Sequence, residues 1–172
     1  MYNNYYYYNP YWFQKSTNYN QPHLLLNGSN RNAYVSRRTT DFGPNPYVIN
    51  INQATKQNNT YRTSIWTGQH LQATLMSIPV GDDIGLELHP DTEQFLRIEQ
   101  GQGVVQMGDR ADQLTYAQHI GEGFAIFVPA GKWHNVTNTG QIPLKLYSIY
   151  APPHHPSGTV QQTKAIAMEQ EN

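Results

Sequence analysis

The stretch that decides the fold class is residues 123–138, which read Gly123-Phe-Ala-Ile-Phe-Val-Pro129-Ala-Gly131-Lys-Trp-His134-Asn-Val-Thr-Asn138. Residues 124–128 are apolar and rich in β-formers, which is typical of a short strand. Pro129 and Gly131 are turn formers that allow the chain to change direction directly after that strand. A second short strand follows at 135–137, with His134 directly before it. The stretch therefore predicts two short strands joined by a tight turn.

Short strands continue on both sides of this stretch, each rich in β-branched or aromatic residues and bounded by Gly, Pro, Asp or Asn. The predicted strands are 47–51, 61–66, 72–80, 85–89, 94–100, 104–107, 114–117, 124–128, 135–137 and 144–151. One or two helical turns are predicted at 52–58, and a C-terminal helix at 159–169 with Ser157 or Thr159 as its N-cap. This pattern predicts an all-β chain, a sandwich or barrel, with a short C-terminal helix.

A second stretch, residues 81–101, holds side chains that are competent to bind metals. Glu87 and His89 are two apart on a predicted strand, so both project from the same face. Gln94 begins the next strand after a short turn, with Glu93 beside it, and His134 approaches from a different strand. Three or four nitrogen and oxygen ligands of this kind hold a divalent ion and leave positions open for water or substrate.

These two stretches resemble the two sequence motifs of the cupin family. Residues 123–138 match G(X)5PXG(X)2H(X)3N at every fixed position. Residues 81–101 match G(X)5HXH(X)4E(X)6G in spacing, but Glu87 replaces the first His and Gln94 replaces the Glu. The resemblance covers roughly residues 60–152. It implies a double-stranded β-helix, a jelly-roll barrel, with a metal site between its two sheets.

The resemblance implies that Glu87, His89, Gln94 and His134 form this metal site. It assigns the inward position to Gln94, and strand alternation then turns Glu93 toward solvent. One carboxylate, one amide oxygen and two imidazoles suit a hard or borderline divalent ion, so we expect one ion of Mn, Fe, Ni or Zn. The alternative is a site without a metal, in which Glu87 and His89 form a hydrogen-bonded polar pair.

Two other pairs of side chains are weaker candidates. His154 and His155 follow two prolines and are expected in an exposed turn, the alternative being a second, weak metal site. Tyr147 and Tyr150 face opposite ways along the last long predicted strand, so one of them is expected to line the barrel.

The first 40 residues differ in composition from the rest. Eight of the 13 tyrosines lie in the first 34 residues, and residues 1–40 contain no carboxylate. The basic residues of this segment are Lys15, Arg31, Arg37 and Arg38. Because the segment has no sustained apolar period, we expect a disordered low-complexity tail at 1–40 and a cupin domain at 41–172. The alternative is an assembly segment, since exposed aromatic residues stack and form β-rich contacts.

Composition excludes several function classes. The chain has 172 residues, a formal charge of −1 and no cysteine, so we expect one domain that binds no nucleic acid and has no thiolate zinc site. It has no run of 18 apolar residues and no secretory signal pattern at its start, so we expect no membrane partner. The expected location is the cytoplasm, with the spore coat as the alternative.

Two functions fit these features. The first is a metal-dependent enzyme, similar to the small sugar-isomerase-like cupins, acting by isomerisation, lysis or oxygenation on a small polar, sugar-like or oxygen-rich substrate. The second is a non-catalytic structural or ligand-binding cupin, whose Tyr/Asn-rich start is similar to the tails of spore-coat proteins. Open jelly-roll edges and the strand predicted at 47–51 indicate a homodimer. No catalytic residue is assigned.

Overall fold

The computed structural model describes residues 40–171, so the predicted tail lies, apart from Thr40, outside the described residues. This part of the chain forms nine strands and two short helices. In chain order they are α1 (Ile51–Gln57), β1 (Arg62–Thr67), β2 (Gln72–Ile78), β3 (Glu93–Gln100), β4 (Gln102–Gly108), β5 (Tyr116–Gly121), β6 (Ala125–Val128), β7 (Trp133–Asn138), β8 (Leu144–Ala151), β9 (Val160–Gln161) and α2 (Lys164–Glu171).

The strands form two antiparallel sheets. The larger has the order β6-β3-β8-β2-β1-β9, and the smaller has the order β5-β4-β7. A core of apolar side chains from both sheets fills the space between them, and Ala167 of α2 joins it. The all-β jelly roll with a short C-terminal helix that the sequence predicted is confirmed. No helix within residues 40–171 is long and apolar enough to cross a membrane.

The interior has an apolar end and a polar end, because three neighbouring strands change character along their length. Their inward residues, read from the apolar to the polar end, are Ile78, Met76, Thr74 and Gln72 of β2, Leu144, Leu146, Ser148 and Tyr150 of β8, and Ile98, Leu96 and Gln94 of β3. All of them are buried. Buried polar groups are costly unless they find partners, so the polar end is where a built site is expected.

The strand predicted at 47–51 is wrong. The residues before α1 are irregular, and Val48 is 96% exposed. Asn50 instead starts the helix, because its side chain accepts a hydrogen bond from the Gln53 N–H at 3.1 Å. Such local side-chain bonds compete with strand pairing and favour helix starts. The helical turns predicted at 52–58 are confirmed as α1. Without a strand at 47–51, only the open jelly-roll edges still indicate a homodimer.

The strand predicted at 85–89 is also wrong, since these residues form a loop with one isolated bridge, Glu87 to His134. The strand predicted at 114–117 begins later, as β5. The C-terminal helix begins at Lys164 rather than at 159, because Val160 and Gln161 pair with β1 as β9. Its N-cap is therefore neither Ser157 nor Thr159. The Thr163 hydroxyl accepts the Ile166 N–H at 3.3 Å in that role.

Candidate metal centre

The loop before β3 is fixed against β7, and this brings two of the predicted ligands together. The backbone N–H of Glu87 donates to the His134 carbonyl, and the N–H of His134 donates to the Glu87 carbonyl, both at 3.0 Å. Two residues later the His89 carbonyl accepts the Gly131 N–H at 2.8 Å. Gly131 has φ of +75°, a left-handed conformation that glycine adopts without strain. The turn that the sequence predicted at 129–131 thus holds the loop in place.

The four predicted ligands converge at the polar end of the interior. Glu87 Oε2 lies 3.3 Å from His89 Nε2 and 3.8 Å from His134 Nε2. His134 Nε2 lies 2.8 Å from Gln94 Oε1. Ligand atoms of Glu87, His89 and His134 all lie within 4.8 Å of one another. Glu93, the alternative to Gln94, is exposed, whereas Gln94 is 3% exposed and faces the cluster.

These separations fit ligands that share one ion. Nitrogen and oxygen ligands at about 2.1 Å from a metal are about 3.0–3.4 Å apart when their angles are octahedral or tetrahedral. The measured separations of 2.8, 3.3 and 3.8 Å bracket that range. Small side-chain movements are therefore enough to bring these atoms to equal distance from a common centre.

The hydrogen bonds of the cluster also fit a cation. Glu87 Oε2 and His89 Nε2 are buried, and neither makes a well-aligned hydrogen bond within residues 40–171; they meet only in their mutual 3.3 Å contact. His134 Nδ1 is 2.9 Å from the Lys132 carbonyl, an acceptor that places the proton on Nδ1. The lone pair of His134 Nε2 then faces the carbonyl oxygen of Gln94. A divalent ion satisfies such converging lone pairs.

Comparison with known proteins identifies the family. The family model described as "Cupin domain" matches residues 74–150, a range that includes all four predicted ligands and both motif stretches. The chain belongs to the cupin superfamily.

This cupin is similar to three proteins along most of its length. It is 59% identical to the uncharacterized protein YrkC of Bacillus subtilis over 144 residues, which is 83% of this chain and 77% of YrkC. It is 40% identical to the uncharacterized protein L612 of Acanthamoeba polyphaga mimivirus, over 66% of this chain and 70% of L612. The crystal structure of BH2720 from Bacillus halodurans superposes with a TM-score of 0.75 at 62% identity, over 76% of this cupin and 98% of that chain.

The Glu87 carboxylate is kept ionised by its neighbours. Burial opposes its ionisation, but the contact with His89 and the charge of Arg62 outweigh that effect and hold the pKa of Glu87 below its usual range. Glu87 therefore offers this cupin a negatively charged ligand at neutral pH.

The His134 imidazole is kept neutral by its position. It has no exposed surface, and this burial lowers the pKa of His134 although the Lys132 carbonyl and Glu87 act in the opposite direction. Neutral imidazole is the form that binds metals. The ionised carboxylate of Glu87 and the neutral imidazole of His134 thus both suit the divalent cation that the sequence predicted.

Sequence reasoning missed Arg62, which lies 25 positions before Glu87 and outside both motifs. Its guanidinium is 1% exposed and its Nη2 lies 3.1 Å from Glu87 Oε1. Arg62 shares the inward face of β1 with Ser64, in a strand whose first four residues are all buried. A basic residue within a buried strand was the signal available in the sequence, because a buried charge requires a partner.

The exposed turn predicted at His154 and His155 is wrong for His155, which is buried. Its backbone N–H donates to Gln72 Oε1 at 3.0 Å, and its carbonyl accepts from Gln72 Nε2 at 2.8 Å. His154 is exposed, but its ring packs on that of His89 with centroids 3.9 Å apart. Of the two tyrosines, Tyr150 lines the barrel and its ring lies 5.8 Å from that of His89.

A cavity of about 490 Å³ opens between β5 and β6, beside the cluster rather than in it. Its lining includes Met107, Ile120 and Ile126 from the barrel interior and Phe127 at the rim. It also includes Lys132, whose carbonyl orients His134. The cavity lies next to the turn that carries His134 and is separate from the four predicted ligands.

Proposed function

We propose that this cupin binds one divalent metal ion through Glu87, His89, Gln94 and His134, and that the bound ion activates a small oxygen-rich substrate. The observation that carries the proposal is that ligand atoms of Glu87, His89 and His134 lie within 4.8 Å of one another, with Gln94 Oε1 2.8 Å from His134 Nε2. Two imidazoles, one carboxylate and one amide oxygen favour Mn, Fe, Ni or Zn.

The chain's own residues prepare the site for this role. Glu87 supplies one negative charge, and Gln94 supplies a neutral oxygen. Gln94 is oriented from behind because its Nε2 donates to Ser148 Oγ at 2.9 Å. A divalent ion in such a site supplies Lewis acidity that stabilises an oxyanion or enolate of the substrate. Isomerisation, lysis and oxygenation of a sugar-like or other oxygen-rich compound all use that property.

Metal titration tests the first half of the proposal. Chelator-treated protein is titrated with Mn²⁺, Co²⁺, Ni²⁺ and Zn²⁺ in a calorimeter, and we expect one tight site per chain. The double variant Glu87→Ala, His89→Ala should lose that site. The matched control is Glu93→Ala, His119→Ala, which removes the same residue types from exposed positions and should bind like the parent. A double variant at 87 and 89 that keeps a full equivalent of metal contradicts the assignment.

The second half is tested with the cobalt form, whose visible absorption reports the coordination of the ion. Addition of a 2-hydroxy acid, which offers two adjacent oxygens, should change the spectrum and reach saturation. Acetate, which offers one carboxylate, should bind far more weakly. A cobalt spectrum that no two-oxygen compound changes would leave a metal-binding cupin without a substrate role.

The composition of residues 1–40 favours a second, compatible function in assembly. This segment holds eight tyrosines and no carboxylate, which suits oxidative cross-linking and stacking between copies, as in a spore coat. Sedimentation velocity of the full chain and of a chain lacking residues 1–39 separates a dimer formed by the cupin domain from larger assemblies formed by the tail. We expect assemblies larger than a dimer in the full chain alone. Identical sedimentation of the two chains contradicts the assembly role.

A further inference from the structure

Arg62 is a buried cation at the edge of the candidate metal centre. It opens β1, its side chain points into the barrel, and 1% of its surface is exposed. A buried guanidinium is costly unless a carboxylate and further acceptors surround it. It also stays protonated in proteins, so its charge is permanent. The partners of Arg62 therefore show what its charge does.

Two partners hold the two ends of the guanidinium fork. Arg62 Nη2 donates to Glu87 Oε1 at 3.1 Å, and Nη1 donates to Gln161 Oε1 at 2.9 Å. Gln161 is buried and lies in β9, directly opposite Arg62 in the antiparallel pairing of β9 with β1. Its Nε2 in turn donates to Gln170 Oε1 of α2 at 3.3 Å. The guanidinium is thus fixed by the C-terminal part of the chain.

The two oxygens of Glu87 have different surroundings as a result. Oε1 accepts from Arg62, while Oε2 faces His89 and His134. The last torsion of a glutamate side chain is soft, so a carboxylate in a loop has no strong preference of its own. Glu87 lies in a loop that pairs with β7 at a single bridge. The Arg62 contact is what selects one orientation of its carboxylate.

We propose that Arg62 is a positioning residue for the metal centre: it holds Glu87 with one oxygen turned toward the ion, and Gln161 holds Arg62. The inference rests on the proposed function. Arg62 acts through Glu87 and touches no ion itself. The positive charge of Arg62 also balances the negative charge of Glu87. The positive charge of a bound divalent ion is then not compensated by this pair and attracts an anionic oxygen of the substrate.

Opposite expectations follow if Arg62 replaces a metal instead of supporting one. A guanidinium near the site repels a second cation, so removing it would then tighten metal binding. A positioning residue has the reverse effect, because outer partners of metal ligands change affinity by about 10- to 100-fold when they are removed. The sign of the change in metal affinity therefore distinguishes the two roles.

The test measures cobalt affinity, by competition with a chelator, and the cobalt absorption spectrum in four variants. Arg62→Met should weaken cobalt binding by about 10- to 100-fold and change the spectrum. Arg62→Lys should recover part of the affinity. Gln161→Met, which keeps the charge of Arg62 but removes its anchor, should weaken binding less than Arg62→Met and serves as the main variant if Arg62→Met fails to fold. Arg110→Met is the matched control, because Arg110 forms an exposed pair with Asp112.

A double-mutant cycle tests whether Arg62 acts through Glu87. In a Glu87→Gln background, Arg62→Met should have no further effect on cobalt affinity. Equal or tighter binding by Arg62→Met in the parent background overturns the inference and leaves the metal centre in place. An undiminished effect in the Glu87→Gln background also overturns it. A parent protein that binds no cobalt overturns the inference and the proposed function together.

Discussion

Gln94 is the predicted ligand with the most defined contacts at the scale of single residues. Its Oε1 lies 2.8 Å from His134 Nε2, and its Nε2 donates to Ser148 Oγ. In metal-free protein, Gln94→Leu removes the amide that donates to the buried Ser148 hydroxyl and leaves His134 Nε2 against an apolar side chain. We therefore expect the free energy of unfolding in urea to fall by about 1–3 kcal/mol. Glu93→Leu places the same residue on the exposed face and should change stability by less than about 0.5 kcal/mol. Similar values for the two variants contradict this account.

His155 predicts a pH dependence of stability. Burial first, and then the charge of Arg62, lower the pKa of His155 to about 2. The unfolded chain binds a proton near pH 6.5, whereas the folded chain does not, so the free energy of unfolding falls as the pH falls below 6.5. Between pH 6.5 and 4.5 this group contributes a loss of about 2 kcal/mol.

His155→Gln removes this contribution, so its urea midpoint should fall less than that of the parent over the same pH interval. His119→Gln is the control, because His119 is exposed on β5, and it should follow the parent. All three proteins are treated with chelator so that metal release does not enter the comparison. Parallel pH dependence of the parent and His155→Gln is the outcome that contradicts the buried neutral histidine.

At the level of single residues, the sequence was sufficient to choose between Glu93 and Gln94 as the inward-facing side chain. Strand alternation and motif spacing together assigned the inward position to Gln94, and Gln94 does face the cluster. Neither signal reaches Arg62, because its proximity to Glu87 comes from the packing of β1 against a loop that is bridged to β7 of the other sheet. The packing of His154 on His89 is also a tertiary contact. Two histidines after two prolines do not indicate such a contact in the sequence.

At the scale of elements, α2 is tied to the loop that leads to Glu87. Lys164 Nζ donates to Asp82 Oδ1 at 2.8 Å and to Asp83 Oδ1 at 2.6 Å. Burial opposes the ionisation of Asp83, but the hydrogen bonds from Lys164 and from the Gly85 N–H lower its pKa below the usual range. The pair of contacts joins the C-terminal helix to the loop.

Lys164→Met should therefore lower the free energy of unfolding by about 1 kcal/mol, and the loss should shrink in 1 M salt, which screens the ion pairs. The control is Lys56→Met, because Lys56 and Glu122 form a more exposed pair. That variant should change stability by less than about 0.5 kcal/mol. The check is urea denaturation at low and high salt. If Lys164→Met lowers the free energy of unfolding by no more than Lys56→Met does, the contacts of Lys164 with Asp82 and Asp83 do not stabilise the domain.

Elements with strong periodicity were predictable, and elements shaped by local hydrogen bonds were not. The long strand at 144–151 is rich in alternating apolar residues and is observed as β8 with the predicted bounds. The segment 47–51 is also rich in strand-forming residues, yet Asn50 caps a helix instead. The segment 85–89 carries motif residues but pairs with β7 at one point only. Composition alone does not separate these cases.

The fold class was predictable at the scale of the whole molecule because many short strands and the spacing of turn glycines agree with one architecture. The tail at 1–40 stays a prediction, as does the boundary at 41. Thr40 Oγ1 donates to the Ser64 carbonyl, and Asp41 accepts from Thr67 Oγ1 at 2.6 Å. Residues 40 and 41 are thus anchored to β1 by contacts within residues 40–171.

Deletion of residues 1–39 should therefore leave the folded domain intact. We expect the melting temperature in differential scanning calorimetry to change by less than about 2 °C, well below the effect of losing 1 kcal/mol from a small domain. The comparison uses the full chain as its control. A decrease of many degrees would mean that residues 1–39 contribute to the stability of the domain.

The most direct test of the metal centre is elemental analysis of the full chain, purified without chelator and without an affinity metal, beside the variant His89→Ala, His134→Ala. We expect close to one equivalent of manganese, iron, nickel or zinc in the parent and almost none in the variant. A parent that carries no metal and takes up none when ions are added would contradict this expectation.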